Sequence, residues 1–454
     1  MCRAFGALAA LLVGASLLVP LPAAAAPAAT TATPIKHFVF LMQGDRSFDN
    51  YFGTYPGADG IPAGTCQRLF IARPSCVKPF SLHGKVPPTL GAGTVTLNNQ
   101  YNNGAMNGFV AAYENEGRNG STVMGHYDAR DLPTYWDLAS RYVLFDRFFS
   151  STREGQRANR SYWVAGNVEP VGNAQAGDEK QATIFDRLQA AGVSWKFYVQ
   201  GYDPKQTLST APQSRPSTQR ARVPLLNYAR FVDNPALSSH IVDLSQYYKD
   251  LDAGTLPAVA YVASSGPIER SARSIGSGQK LVTDLVGNLM LSKYWASSAF
   301  LLSYDGSGGW YDHVSPPQVD KNGYGMRVPA LLVSPYARRG FIDHTTFDYT
   351  SALAFIENNW HIAPLTARDR AANSIGNAFN FAAAPRAAQV NFGQTAPAKP
   401  PQVSIAVVYW SYGSALFLVL ALVTSAVIGG PLKRRQRWRQ EQAARQAETV
   451  GAGR

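Results

Sequence analysis

The apolar run FVFLM at 38–42, inside the stretch PIKHFVFLMQGDRSFDNYFG at 34–53, limits the fold more than any other part of the chain. An unbroken aromatic and aliphatic run is the composition of a strand buried on both faces of a parallel sheet. It breaks sharply into Gln43, Gly44, Asp45, Arg46 and Ser47, with Phe48, Tyr51 and Phe52 available to pack the turn. Open α/β sheets place their ligands beyond the C-terminal ends of central strands. Asp45 and Asp49 are therefore the first acidic candidates for a hard cation or a phosphate-handling site, set against a plain solvated loop.

Further strand-like runs recur at 193–199, 258–263, 299–304 and 330–334, and helical patterns at 182–191, 280–291 and 350–360 lie between several of them. Strands alternating with helices predict an α/β domain with a mostly parallel central sheet covered on both faces. That domain spans 33–381, and the Gly-, Pro- and Asn-rich segment 54–105 reads as a lobe beside its core. A second polar cluster, SYDGSGGWYDHVSPP, follows the run at 299–302. There a strand delivers Asp305 into a glycine-rich turn, where glycines permit positive φ and close backbone approach. Asp312 and His313 follow, either as part of a site or as a hydrogen-bonded pair bracing the loop.

The ends of the chain predict its compartment. Residues 1–26 carry Arg3, an apolar stretch, Pro20 and Pro22 as breakers and a run of alanines, the pattern of a secretory signal peptide. The Ala- and Pro-rich segment 382–402 reads as a linker. Residues 403–430 hold no charged side chain, enough length to cross a bilayer of about 30 Å as one helix. The tail 431–454 begins with Lys433, Arg434, Arg435, Arg437 and Arg439, which belong on the cytoplasmic side. The sequence thus predicts a single-pass membrane protein with an extracellular N-terminal domain. Of the net charge of +12, the seven basic and two acidic residues of the tail contribute +5 and Arg3 one more. The remaining +6 is spread over the body, which suits acidic or phosphate-bearing ligands and excludes a nucleic-acid stripe. Cys66 and Cys76, an even pair in an oxidising compartment, predict a local disulfide.

The motifs resemble a bacterial phosphoesterase family that includes phospholipases C and acid phosphatases. The resemblance runs in order through QGDRSFDNYFGTYPG at Gln43, NGAMNGFV at Asn103, MGHYDARDLPTYWDLASRY at Met124 and TIFDRLQAAGVSWKFY at Thr183. It resumes with FLLSYDGSGGWYDHVSPP at Phe300, RVPALLVSPYARRGFIDHTTFDYTSALAFIE at Arg327 and a short end at 379–381. It implies a three-layer α/β/α, alkaline-phosphatase-like core in a protein of the bacterial cell membrane. It also implies hydrolysis of phosphomonoesters or phospholipid headgroups with a divalent metal. On this chain the implied metal ligands are Asp45 and Asp305, and the hydroxyl nucleophile is Thr152, with Ser150 and Ser151 beside it. His313 would assist proton transfer. Apart from the resemblance, Arg157 and Arg270 are candidates to hold a phosphate or sulfate electrostatically without cleaving it.

Several positions depart from that family's pattern. Glu-Asn before Arg-Ser-Phe-Asp is replaced by Gly44 and Asp45, and the Glu after the late Asp by Gly306. The loop STREGQRANRSYW places Gln156 at the nucleophile, and Arg270 follows Glu269 where a His is usual. Glycine offers a metal only its backbone, an amide cannot replace an activated hydroxyl, and guanidinium replaces an imidazole base by a fixed charge. Two readings follow: a phosphoester hydrolase, or a non-catalytic relative that binds phosphate-bearing ligands or a surface partner.

Overall fold

In the computed structural model, residues 30–69, 75–168, 179–210, 217–264 and 269–393 are described, together with 414, 417–420, 437–442 and 445. The run at 38–42 lies in strand β1, His37–Gln43, buried from Phe38 onward. It is the middle of an eight-stranded sheet. The other strands, in chain order, are β2 (Val143–Phe145), β3 (Trp195–Gln200), β4 (Ile241–Asp243), β5 (Val259–Ser264), β6 (Ser298–Tyr304), β7 (Ala330–Val333) and β8 (Phe341–Asp343). Their order across the sheet is β8-β2-β7-β6-β1-β5-β3-β4. All neighbours run parallel except β7, which is antiparallel to both β6 and β2. Every residue of β5 and β6 is buried, so both faces of the central sheet are covered, as a parallel sheet requires.

The three expected helices form with local reasons for their boundaries. Ile184–Ala190 starts at Thr183, whose side chain and that of Asp186 make a reciprocal capping box. Tyr349–Asn359 starts at Asp348 in the same way, with Ser351 as the partner. Ile275–Leu291 begins several residues earlier than the apolar periodicity suggested, through Gly276, Ser277 and Gly278.

Two features differ from the sequence expectation. The lobe at 54–105 contributes the helix Thr94–Tyr101, whose start lines the cleft described below. The Ala- and Pro-rich segment is tied to the body as far as Gly393. Arg386 donates to Arg141 O (3.0 Å) and Ala337 O (2.8 Å), and Gly393 N–H reaches Asp137 Oδ2 (3.1 Å). Cys66 and Cys76 are joined in a disulfide, their Cα atoms 5.6 Å apart. The leader at 1–26 lies outside the described residues, as does 403–430 apart from Ser414 and 417–420. Among the described residues no helix is long and apolar enough to cross a membrane.

Candidate functional site

β1 and β6 are parallel neighbours in register, Gln43 opposite Tyr304, so the residues after them emerge at one edge of the sheet. Asp305 N–H donates to Gln43 O at 3.1 Å, and Asp45 N–H donates to Asp305 Oδ1 at 3.3 Å. Asp45 holds φ at +48°, a left-handed conformation that Asp tolerates better than most residues. Gly308, at φ +64°, lets the second loop pass close by: a Cβ there would lie 2.7 Å from that of Asp45.

The helix Gln156–Ala165 adds two side chains four residues apart, hence on one face. The Gln156 amide donates to Asp45 Oδ1 and, at 3.3 Å, to Asp305 Oδ1. Arg160 Nε donates to Asp305 Oδ2 at 2.7 Å, with both side chains only 2% exposed, and its Nη1 reaches Arg222 O at 2.6 Å. On the other side Arg270 Nε lies 2.7 Å from Asp45 Oδ2, a charge contact without hydrogen-bond alignment. Asp45, Asp305, Gln156 and Arg270 floor a cleft of about 350 Å³ whose walls include Thr94, Ser150, Thr152, Arg153 and Arg157, with Arg160 buried beneath it.

Electrostatics follow from that crowding. Burial, then the neighbouring Asp305 charge, push the Asp45 carboxyl up to about 7, with Arg270 pulling the other way. Burial lowers the Arg222 guanidinium, and repulsion from Arg160 adds to that.

Asp45, Asp305, Thr152, Arg157 and Arg270 all line this one cleft. Arg157 also pairs with Glu179 at 3.2 Å. Thr152 Oγ1 accepts from Glu154 N–H at 3.2 Å, and Ser150 Oγ donates to Met326 O at 3.1 Å. Ser151 turns away to Asp348 Oδ2, 2.7 Å.

His313, expected beside Asp305, instead belongs to a second buried cluster with Asp49, Asp312 and Arg327. Its Nδ1 lies 2.8 Å from Asp49 Oδ2 and its Nε2 3.2 Å from Asp59 Oδ1. Burial alone would lower the imidazole, but the hydrogen bond that it donates to Asp49 and the charges of Asp49 and Asp312 outweigh it and push it up. Asp312 and His313 take their partners outside the pair, because the glycine turn after Asp305 carries the chain to the start of the helix Phe48–Phe52. Asp49 N–H donates to Asp312 Oδ2 there, at 3.2 Å.

A divalent ion is tested differently by the two clusters. Asp49, Asp312 and His313 bring one ligand atom each within 4.8 Å of one another, a spacing compatible with such an ion. The Arg327 guanidinium already bridges two of them, donating to Asp312 Oδ1 (2.9 Å) and Asp49 Oδ1 (3.0 Å), so an ion would compete with it. The Asp45–Asp305 pair does not fit a divalent ion. Its oxygens face an amide and two guanidinium groups, donors in the place of further anionic ligands.

Sequence reasoning missed Arg160 and Arg327. The first carried a signal in its i, i+4 spacing from Gln156; the second reaches its partners only through the fold.

Comparison with known proteins finds similar chains over most of the body. Phospholipase C B of Mycobacterium tuberculosis is 28% identical over 440 residues, covering 81% of this chain and 82% of that protein. Non-specific phospholipase C1 of Arabidopsis thaliana is 25% identical over 421 residues, covering 83% and 75% respectively. Among solved structures, a protein in the alkaline phosphatase superfamily from Vibrio parahaemolyticus covers 72% of this chain and 68% of its own, at 11% identity and TM-score 0.35. A family model described as the phosphoesterase family matches 35–363, a span holding both strand ends, the Gln156 helix and both carboxylate clusters. With a match of that extent, this chain belongs to the phosphoesterase family.

Proposed function

We propose that the cleft receives the phosphoester group of a small molecule or a phospholipid headgroup and holds it without metal-assisted covalent turnover. The body carrying it would be an alkaline-phosphatase-like α/β/α domain, 33–381. It would be displayed outside a bacterial cell after loss of the 1–26 leader and anchored by one helix at 403–430.

The observation that carries this reading is the occupancy of the two carboxylates by Gln156, Arg160 and Arg270. The amide has no oxygen that can attack phosphorus; the Arg160 guanidinium neutralises Asp305 from beneath, and that of Arg270, which lines the cleft, supplies fixed positive charge with planar hydrogen-bond donors suited to phosphate oxygens. Two helix starts add to this. Thr94–Tyr101 and Gln156–Ala165 both begin at the cleft after a glycine with no side-chain cap, leaving backbone N–H groups and the positive helix end for an anion.

The presence of Thr152 and Ser150 in the same cleft favours a second reading, slow hydrolysis. A hydroxyl oxygen would form a bond to phosphorus, the ester oxygen would depart with its electron pair and take up a proton, and water would then release phosphate.

Titration calorimetry of the full-length chain with inorganic phosphate and phosphocholine separates these readings when combined with turnover of p-nitrophenyl phosphate and phosphatidylcholine under Mg²⁺, Ca²⁺, Mn²⁺ or Zn²⁺. Binding without turnover, weakened about tenfold or more by Arg270→Ala, is the expected result. Turnover lost in both Asp305→Asn and Thr152→Val would establish the second reading. No binding and no turnover would overturn both.

A further inference from the structure

The buried residue next to Arg270 is held by more contacts than its place in a loop requires. Glu269 is fully buried, and its backbone sits at φ +65°, a left-handed conformation that non-glycine residues rarely adopt. Its carboxylate accepts from four side chains on four separate elements. Tyr51 OH, from the helix Phe48–Phe52, donates to Oε2 at 3.0 Å, and Tyr304 OH, at the end of β6, donates to the same oxygen at 2.6 Å. Tyr135 OH, from the helix Pro133–Arg141, donates to Oε1, and Gln43 at the end of β1 reaches that oxygen at 3.5 Å. Its backbone carbonyl is gripped as well, by Nη2 of Arg46. The Arg46 guanidinium lies over the rings of Trp310, Tyr51 and Tyr127 at 5.1, 5.3 and 5.7 Å. Room for the carboxylate comes from Gly278, where a Cβ would collide with it.

Buried carboxylates are costly unless hydrogen-bonded, and here neutral hydroxyls from distant parts of the chain converge to satisfy one. The residue so fixed in a strained conformation immediately precedes the guanidinium that reaches Asp45 across the cleft.

We propose that Glu269 is a positioning residue: its tyrosine cage fixes the backbone from which Arg270 is presented to an anion in the Asp45–Asp305 cleft. The inference rests on reading that cleft as a phosphate site. Neither Glu269 nor the tyrosines touch the anion; they act through Arg270.

A double-mutant cycle tests it, with inorganic phosphate affinity of the full-length chain measured by calorimetry for the wild type, Glu269→Gln, Arg270→Ala and the double variant. The expected result is a loss of about tenfold in Glu269→Gln that disappears in the Arg270→Ala background, since coupled residues are non-additive. Tyr135→Phe, which removes one donor only, is run through the same cycle if Glu269→Gln does not fold. An unchanged affinity in Glu269→Gln, or an equal loss with and without Arg270, overturns the positioning role. If Arg270→Ala weakens phosphate binding but Glu269→Gln does not, the cleft reading survives and the positioning role falls; if Arg270→Ala binds phosphate as well as the wild type, both fall. If the wild type binds no phosphate, the cleft reading itself has failed and the positioning role falls with it.

Discussion

Replacing Asp45 by Asn should change how stability depends on pH, and the size of the change can be worked from the site. Burial and the charge of Asp305 raise Asp45 from its ordinary 3.8 to about 7 in the folded chain. Each unit corresponds to about 1.4 kcal/mol, so ionising Asp45 within the fold costs on the order of 4 kcal/mol relative to the unfolded chain. Because the folded value is the higher one, the folded state keeps a proton that the unfolded state has released. Stability from this group is therefore full below about pH 4 and declines up to about pH 7, then stays level. Asn carries no such proton. It also tolerates the left-handed backbone at this position and keeps an oxygen for the Gln156 amide. It loses the attraction to Arg270, whose pH dependence is already contained in the Asp45 value of about 7. Urea unfolding of both proteins at intervals from pH 4 to 8, followed by tryptophan fluorescence, gives the difference directly. The Asn variant should gain on the wild type across that window, by up to about 4 kcal/mol. A difference that stays flat from pH 4 to 8 would refute the burial and charge coupling assigned to Asp45.

Arg160→Met should lower stability by about 3–5 kcal/mol, because it strands the buried Asp305 carboxylate. Millimolar Mg²⁺ or Ca²⁺ should then raise the melting midpoint of this variant more than that of the wild type; an equal rise in both would argue against guanidinium in the place of a metal. Affinity for sulfate should rise as pH falls from 8 to 6, since a protonated Asp45 releases Arg270 to the anion, and calorimetry at the two pH values checks this. Reducing the Cys66–Cys76 bond, which spans 10 residues, should cost about 2–3 kcal/mol in a loop-entropy account, read by denaturation with and without a phosphine reductant. Burial and the neighbouring Asp369 raise Glu357 to about 8, so its protonated form stabilises the fold at low pH and that contribution falls as pH rises from about 4.5 to about 8. Glu357→Gln should flatten this part of the stability profile, and an unchanged slope would count against it.

What the sequence could disclose was local. The apolar run at 38–42, the runs that became β3, β5, β6 and β7, and the helical pattern at 182–191 each rest on neighbours a few residues apart. The direction of β7 was not legible, because a short, fully buried strand reads alike whichever way it runs. Nor was the division of the acidic residues into two clusters. Asp45 and Asp49 are four apart, as in one turn of helix, yet the left-handed bend at Asp45 ends one loop and Ser47 caps a new helix. The two carboxylates are thereby sent to different partners, Asp305 and Asp312. The tyrosines around Glu269 and the partners of Arg327 meet only through the sheet, so periodicity holds no trace of them. These distant cations decide the chemistry of the cleft. A divalent ion would bring two positive charges to Asp45 and Asp305; Arg160 and Arg270 bring the same number, and Gln156 adds the hydrogen-bond donor between them. Charge at the cleft floor is therefore already balanced by the chain itself. An incoming phosphate must compete with Asp45 for Arg270 rather than complete the shell of a metal, and that competition ties anion affinity to the proton on Asp45.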